Sequence, residues 1–258
     1  MNNTRITSFD DINDLLQCLL VNLQSILGEK LVGIYIYGSL VWGDFIYHTS
    51  DIDLLVVTAV DIDENDFTTL NEMQDRLVKN FDHWDDRIEI AYLSKEALKT
   101  FKYKRSTIAT ISPGEPFNIK KAGIGWLVDW YCVQENSVTL FGPDPRTLIE
   151  PISKSEFLMA VKNHALEWRE WVTQTKNSQG FQFYAVLTLC RAFYALNHGE
   201  QSSKTTAGQW AKKAYPQWAD LIEKAITWRI NPKDVKVDST STYPEVQRFV
   251  HEMLSTLK

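Results

Sequence analysis

Apolar positions along the first ninety residues switch between helical spacing and strand alternation. Apolar residues every three or four positions predict helices, and short β-branched runs bounded by turn residues predict buried strands. The predicted order is helix, strand, strand, helix, strand, over Asp10–Leu27, Leu31–Tyr37, Asp51–Val57, Asn65–Phe81 and Arg87–Leu93. A loop or a short helix is expected between the first two strands.

The pattern then loses its regularity before it becomes helical throughout. We expect irregular structure over Ser106–Ala122, where Pro113-Gly-Glu-Pro116 interrupts the chain, followed by a helix at Ile124–Gln134 and a strand at Ser137–Phe141. Beyond Ser153 only helical spacing remains. The helices predicted there are Glu156–Val172, Phe181–Asn197, Thr205–Tyr215, Trp218–Trp228 and Pro244–Leu257.

This change of period predicts two domains. Residues 1–150 are expected to form an α/β (α+β) domain around a mixed sheet, and residues 151–258 an all-α helical bundle. The boundary falls where strand signals disappear and prolines cluster, at Pro143, Pro145 and Pro151.

Composition narrows the class of protein. The chain has 258 residues, 44% of them hydrophobic, and a net charge of -6, which argues against disorder and against a nucleic-acid partner. Its three cysteines, Cys18, Cys132 and Cys190, have no C-x-x-C spacing and predict free thiols in a reducing compartment. Without a signal peptide or an apolar run of 18 residues, a cytoplasmic protein with no membrane partner is expected, and a monomer is favoured.

Charge is distributed unevenly along the chain. Residues 1–93 carry 17 acidic and 5 basic side chains, a net -12, whereas residues 94–258 carry 16 acidic and 22 basic, a net +6. Such asymmetry usually reflects a charged ligand or a metal ion rather than a requirement of the fold.

Two carboxylates stand at the start of the second predicted strand. Residues two apart on a strand face the same way, so Asp51 and Asp53 are expected to lie side by side. Taken alone, such a pair more often marks a solvated edge or a turn. Two adjacent like charges need a cation, and Mg²⁺ is the usual one because it prefers hard oxygen ligands.

A third carboxylate extends this pattern. Glu89 lies between Ile88 and Ile90 on the next strand and joins the aspartates if the two strands are neighbours. Such a cluster can hold one or two divalent ions and leave a carboxylate to take a proton from a nucleophile. Gly38-Ser39, where a strand turns into an expected helix, offers backbone N–H groups and a hydroxyl to phosphate.

Gly38-Ser39 followed by Ser50-Asp51-Ile-Asp53 resembles the signature of the nucleotidyltransferase superfamily typified by DNA polymerase β. Within it, the chain most resembles the aminoglycoside O-adenylyltransferases that modify streptomycin and spectinomycin. The similarity also covers Asn136–Pro143, Val186–Arg191, Ser203-Lys204 and Gln209–Ala211.

The resemblance implies a role for each matching residue. Asp51, Asp53 and Glu89 would bind Mg²⁺, and Glu89 would also act as the catalytic base on the acceptor hydroxyl. Gly38, Ser39, Ser50, Arg191 and Lys204 would bind ATP, the co-substrate, in a cleft that the helical domain closes. AMP would pass to a hydroxyl of a small acceptor, a cationic aminoglycoside or aminocyclitol antibiotic being the first candidate, with release of pyrophosphate.

One segment departs from the family pattern. Drug-modifying relatives carry an acidic Gly-Asp-Glu-type segment before the helix of Arg191, whereas Gly180-Phe-Gln-Phe-Tyr184 has no acid. The missing carboxylate removes a charge-assisted contact to an ammonium group. A protein or RNA acceptor, or a nucleotide-binding module without catalysis, therefore remains as an alternative.

Overall fold

The structure, a computed structural model, describes residues 5–232 and 238–257. They form two compact units. The first holds the chain up to Phe45 together with Ser50–Ile152, and the second holds Ile46–Thr49 and the chain from Ser153 onward. The first unit contains the sheet and the second is helical, which is the predicted order of architectures.

The first unit is built on a six-stranded mixed sheet with the order β5-β4-β3-β2-β1-β6. Neighbouring strands are antiparallel except β2 and β3, which run parallel. The strands are β1 Leu31–Tyr37, β2 Ile52–Thr58, β3 Ile88–Ser94, β4 Ser106–Ser112, β5 Glu115–Ala122 and β6 Val138–Phe141. The four predicted strands are therefore confirmed within one residue at each end.

Helices in this unit connect the strands and cover the sheet. They are α1 Asp10–Leu27, α2 Ser39–Trp42, α3 Glu64–Asn80, α4 Lys95–Thr100 and α5 Leu127–Glu135. The crossover between the parallel strands β2 and β3 is α3. It begins with a capping box in which Asp63 and Asp66 bond each other's backbone N–H groups, and Lys30 pairs with both carboxylates.

The central strands are buried on both faces of the sheet, and a contact with α3 shows which side chains lie on the α3 face. Gln74 of α3 donates a hydrogen bond of 2.9 Å to the hydroxyl of Tyr92 on β3. Because side chains alternate along a strand, Ile88, Ile90 and Tyr92 face α3 and Glu89 faces the other way. The acidic positions of the sheet therefore lie on the face opposite α3.

The prediction of irregular structure over Ser106–Ala122 is wrong. This segment is the hairpin β4–β5, in which Ser112 pairs with Glu115 across a turn at Pro113-Gly114. Gly114 has φ of +78°, a conformation that glycine adopts without strain. Pro116 is accommodated because β5 is an edge strand, where a missing N–H costs no ladder hydrogen bond.

The second unit is a bundle in which α7 packs against each of the four other α-helices formed by the described residues. The helices are α6 Lys154–Trp171, α7 Gln179–His198, α8 Lys204–Ala214, α9 Ala219–Ile230 and α10 Ser239–Ser255. Serines 153, 178 and 203 cap α6, α7 and α8 by accepting hydrogen bonds from backbone N–H groups of the first turn. All five predicted helices are present.

The last helix begins earlier than its proline suggested. The sequence predicts a start at Pro244, but α10 begins at Ser239 and carries Pro244 inside it. Asp238 provides the cap, accepting from the backbone N–H and the hydroxyl of Thr240. Across residues 5–232 and 238–257, no helix combines the length and apolar character needed to cross a membrane.

Candidate active site

Three carboxylates meet at the start of the two parallel strands. The β2–β3 register pairs Asp53 with Glu89, so both side chains lie on the sheet face opposite α3, and Asp51 precedes β2 by one residue. One carboxylate oxygen from each of the three residues lies within 4.8 Å of the other two. The structure thus brings together the three acids that the sequence singled out.

The donor set of this cluster suits a hard divalent cation. Mg²⁺ binds oxygen ligands at 2.0–2.1 Å, so two ligands of one ion are at most about 4.2 Å apart. Oxygens already within 4.8 Å can reach that spacing by small side-chain rotations. The residues present therefore fit a magnesium ion held by Asp51, Asp53 and Glu89.

Gly38 forms one wall of this cluster. It follows β1 with φ of +72°, and a Cβ at this position would lie 1.8 Å from Oδ2 of Asp53. The backbone therefore approaches the carboxylate more closely than any side chain would allow. In the same region Tyr37 pairs with Asp53 across β1 and β2.

Ser39 and Ser50, the two predicted phosphate-binding serines, differ in their surroundings. Ser39 opens the one-turn helix α2, and its hydroxyl is buried with no hydrogen-bond partner among the described residues. A buried hydroxyl in this state is costly unless a ligand completes it. Ser50 is buried, and its carbonyl accepts hydrogen bonds from Nε, at 3.2 Å, and Nη2 of the Arg87 guanidinium.

Arg87 is a residue of this region that the sequence analysis missed. It joins the start of β3 to the residue before Asp51, and its guanidinium lies 4.4 Å from the ring centroid of buried Trp84. The available signal was an arginine two residues before a strand glutamate, which does not by itself indicate a partner.

Glu89 has the environment of a proton acceptor. Burial, together with the negative charges of Asp129 and Asp51, raises its pKa to about 7. A hydrogen bond with Ser112 and the positive charge of Lys120 act in the opposite direction. A carboxylate with a pKa near neutrality is suited to general-base catalysis.

Asp129 is a fourth acid that the sequence analysis missed. It lies in the first turn of α5, and its charge raises the pKa of both Glu89 and the buried phenol of Tyr37. Burial is the larger cause for each group. No strand pattern indicates this residue, because Asp129 lies on a helix that comes near the carboxylates only in the folded chain.

The two predicted phosphate-binding cations lie in the second unit. Arg191 is on α7, and its Nε donates a hydrogen bond of 3.1 Å to the carbonyl of Ser202. Lys204 is the first residue of α8, and its Nζ lies 5.1 Å from the ring centroid of Tyr184.

The segment that lacks acids, Gly180–Tyr184, forms the start of α7. Gln182 in its middle is fully buried: the two N–H groups of its amide nitrogen are shared among the carbonyls of Thr175, Lys176 and Ser239, and its oxygen accepts from the Thr242 hydroxyl. Phe181 before it is 61% exposed. Gln182 is therefore a structural residue, whereas position 181 is open to solvent.

Comparisons with known proteins show which proteins this chain resembles. The family model described as "Aminoglycoside adenylyltransferase, C-terminal domain" matches residues 147–256. An aminoglycoside (3'') (9) adenylyltransferase from Escherichia coli is 26% identical over 250 residues, which covers 87% of each chain. A spectinomycin 9-adenylyltransferase from Staphylococcus aureus is 25% identical over 214 residues, covering 80% of this chain and 79% of the relative.

A solved structure shares the fold. The crystal structure of spectinomycin adenyltransferase AAD(9) from Enterococcus faecialis, with ATP and spectinomycin, matches with a TM-score of 0.76 at 16% identity. The match covers 94% of this chain and 99% of that one. The resemblance to aminoglycoside adenylyltransferases and the predicted fold class are both confirmed.

Proposed function

We propose that this chain is a magnesium-dependent adenylyltransferase. It would transfer AMP from ATP to a hydroxyl of an aminoglycoside or aminocyclitol antibiotic and release pyrophosphate. The observation that carries the proposal is the cluster of Asp51, Asp53 and Glu89, whose ligand oxygens lie within 4.8 Å of one another on two paired strands. The similarity to adenylyltransferases over 87% of the chain supports it independently.

The carboxylates divide the chemistry between them. Asp51, Asp53 and Glu89 would hold Mg²⁺, which when bound supplies the positive charge that offsets the triphosphate and aligns it for in-line attack. Glu89 would accept the proton of the acceptor hydroxyl. At the same time the hydroxyl oxygen would form a bond to the α-phosphorus of ATP, and the bond between that phosphorus and pyrophosphate would break. In the metal-free protein burial and neighbouring negative charges raise the pKa of Glu89 to about 7, a value suited to a group that accepts a proton near neutral pH.

The remaining residues would bind the phosphates. The buried Ser39 hydroxyl lacks a partner in the described structure, so a phosphate oxygen would satisfy it. Gly38 leaves room for the close approach of the Asp53 carboxylate, and Arg87 holds Ser50 in place. Arg191 and Lys204 would supply positive charge to the departing pyrophosphate.

The acceptor is expected to be cationic despite the neutral segment at the start of α7. After burial, the negative charge of Asp129 is the next cause of the raised Glu89 pKa, so an additional carboxylate lies near Glu89. A carboxylate near the reacting hydroxyl would attract an ammonium group of the acceptor. The relatives named above act on aminoglycosides and spectinomycin, which supports the same class of acceptor here.

The decisive experiment is an adenylylation assay. Purified protein is incubated with ATP, Mg²⁺ and a panel of aminoglycoside and aminocyclitol antibiotics, and products are measured by mass spectrometry together with pyrophosphate release. We expect a product heavier by one AMP group and an equal amount of pyrophosphate, both abolished by EDTA and by Asp53→Asn. Absence of product with every antibiotic would contradict the proposed acceptor.

A second assay separates acceptor classes if that panel fails. ATP labelled in the α-phosphate is incubated with the protein and a cell extract, which is then passed through a small-molecule filter. Label that is retained with protein or RNA would assign the same chemistry to a macromolecular acceptor. Absence of label in both fractions would leave a nucleotide-binding module without catalysis.

A further inference from the structure

We infer that Tyr184 is a positioning residue for ATP, because its ring holds the Lys204 ammonium in place before the nucleotide binds. This inference rests on the proposed function and adds a residue to it. Tyr184 is the last residue of Gly180–Tyr184, the segment that carries no acid.

The ring of Tyr184 is placed to interact with the ammonium group. Lys204 Nζ lies 5.1 Å from the ring centroid, within the range of a cation–π contact. Buried Trp168 packs against the Tyr184 ring at a centroid distance of 5.8 Å and limits the movement of that ring.

The backbone of Lys204 is fixed as well. Ser203 caps α8 by accepting a hydrogen bond of 3.1 Å from the N–H of Thr206, and Ser202 is held through its carbonyl by Arg191. Both ends of the lysine are therefore anchored: the backbone by the cap and the ammonium group by the ring.

One helix carries both anchors. Tyr184 and Arg191 are seven residues apart on α7, which is close to two turns, so they lie on the same face of the helix. Tyr184 contacts the ammonium group of Lys204, and Arg191 donates a hydrogen bond to the carbonyl of Ser202. Helix α7 therefore positions both predicted phosphate-binding cations, Arg191 and Lys204.

Fixing the lysine matters because its side chain is flexible. A free lysine must lose the freedom of four rotatable bonds when it binds a phosphate, and this loss weakens binding. A side chain already ordered by the protein avoids most of that loss. Tyr184 should therefore strengthen the binding of nucleotides whose phosphates contact Lys204, and should have no effect on the nucleoside portion.

The test compares two substitutions with two ligands. Dissociation constants for MgATP and for adenosine are measured by calorimetry, without acceptor, for the wild type, Tyr184→Leu and Tyr184→Phe. From the usual cost of ordering one long side chain on binding we expect Tyr184→Leu to weaken MgATP binding about three- to tenfold. Tyr184→Phe retains the ring and should bind MgATP as the wild type does, and adenosine binding should be the same for all three proteins.

Two further variants separate positioning from structural damage. Phe181→Leu removes an exposed aromatic ring one turn earlier on α7 and should leave MgATP binding unchanged. In a Lys204→Gln background, Tyr184→Leu should add no further loss, because the ring then has no ammonium group to hold. Thermal unfolding of each variant verifies the fold.

The outcomes distinguish this inference from the proposed function. Equal loss of MgATP and adenosine binding in Tyr184→Leu, or an undiminished loss in the Lys204→Gln background, would overturn the positioning role. Unchanged MgATP binding in Tyr184→Leu would overturn it too while leaving the proposed function intact. Failure of the wild type to bind MgATP would contradict the proposed function itself.

Discussion

The backbone of Gly38 lies directly against the carboxylate of Asp53. A Cβ at position 38 would lie 1.8 Å from Oδ2 of Asp53 and 2.7 Å from its Cγ, far inside van der Waals contact. The aspartate cannot withdraw without leaving the cluster that it forms with Asp51 and Glu89. The absence of a side chain at position 38 is thus a requirement of the site and not only of the turn.

The first prediction concerns this contact. Gly38→Ala should reduce adenylyl transfer by about a hundredfold or more, because displacing a reacting group by about an ångström has effects of that order. The measurement is kcat in the antibiotic assay, together with the Mg²⁺ concentration that gives half-maximal rate, which should rise.

Gly43 provides a control for a glycine with positive φ. Its φ of +71° is close to the +72° of Gly38, although its ψ is 20° and that of Gly38 is -151°, and beyond its chain neighbours no atom of the described residues lies within 4 Å of its Cβ position. Gly43→Ala should show the strain of a left-handed alanine, about 1–2 kcal/mol of stability, and retain most of its activity. Equal loss of activity in both variants would mean that the contact with Asp53 has no specific effect on the reaction.

The second prediction concerns the pH dependence of stability without metal. Burial and neighbouring charges raise the pKa of Glu89 from 4.5 to about 7 in the folded protein. Between these values the folded state holds a proton that the unfolded state has lost, so stability falls as pH rises. Glu89→Gln should remove this fall and make the metal-free protein more stable at pH 8, by up to about 3 kcal/mol.

Urea unfolding in EDTA at pH 5 and pH 8 measures this difference. Glu29→Gln, which removes an exposed carboxylate from a short turn, should follow the wild-type curve at both pH values. Added Mg²⁺ should stabilise the wild type at pH 8 and leave Glu89→Gln with a smaller gain. Parallel pH profiles for the wild type and Glu89→Gln would refute the assigned environment of Glu89.

The third prediction concerns Arg87. Arg87→Met keeps an apolar side chain against Trp84 but removes the hydrogen bonds to the Ser50 carbonyl, so we expect a loss of about 1–2 kcal/mol in unfolding free energy. The rate of AMP transfer should also fall, because Ser50 directly precedes Asp51.

Arg76→Met is the comparison for this variant. Arg76 is exposed and pairs at 3.7 Å with Glu72 one turn earlier on α3, a kind of contact worth less than about 0.5 kcal/mol. Its stability and kcat should match the wild type. A similar loss in both arginine variants would mean that the Ser50 contact contributes nothing specific.

The fourth prediction separates two neighbouring positions at the start of α7. Gln182→Glu should destabilise the protein by about 3 kcal/mol or more, because a buried carboxylate would face three carbonyl oxygens that now accept hydrogen bonds. Phe181→Asp adds the same charge at a position that is 61% exposed, and stability should change by no more than about 0.5 kcal/mol.

The activity of Phe181→Asp tests whether position 181 takes part in acceptor recognition. If the second unit contributes to the binding of a cationic acceptor, Phe181→Asp should lower the KM for a polycationic aminoglycoside and leave the KM for ATP unchanged. Phe181→Asn, of similar size and without charge, is the control. A KM for the aminoglycoside that is the same in both variants would exclude position 181 from acceptor recognition.

The sequence was sufficient to predict the carboxylate cluster because strand alternation sets its geometry locally. Asp51 and Asp53 lie two residues apart, and Glu89 alternates with apolar residues, so only the pairing of β2 with β3 had to be assumed. The hairpin β4–β5 was missed because Pro113 and Pro116 were interpreted as breaks, whereas one lies in a turn and the other on an edge strand.

Other features depend on contacts between residues far apart in the chain. Arg87 meets the Ser50 carbonyl across 37 residues, and Asp129 reaches the carboxylates from α5, so neither follows from local spacing. The steric role of Gly38 is of the same kind. Its left-handed turn could be anticipated from residue type, but its distance from Asp53 required the folded structure.

Because the register of the parallel strands β2 and β3 places its carboxylates, the cluster is either complete or absent. A slip of one residue between these strands would send Glu89 to the face of α3, so no partly formed version of the cluster exists in a registered sheet. The three carboxylates are positioned when the sheet forms, so a cation that binds afterwards needs to move them only slightly. Metal affinity should therefore persist unchanged up to the onset of cooperative unfolding and then disappear together with the sheet.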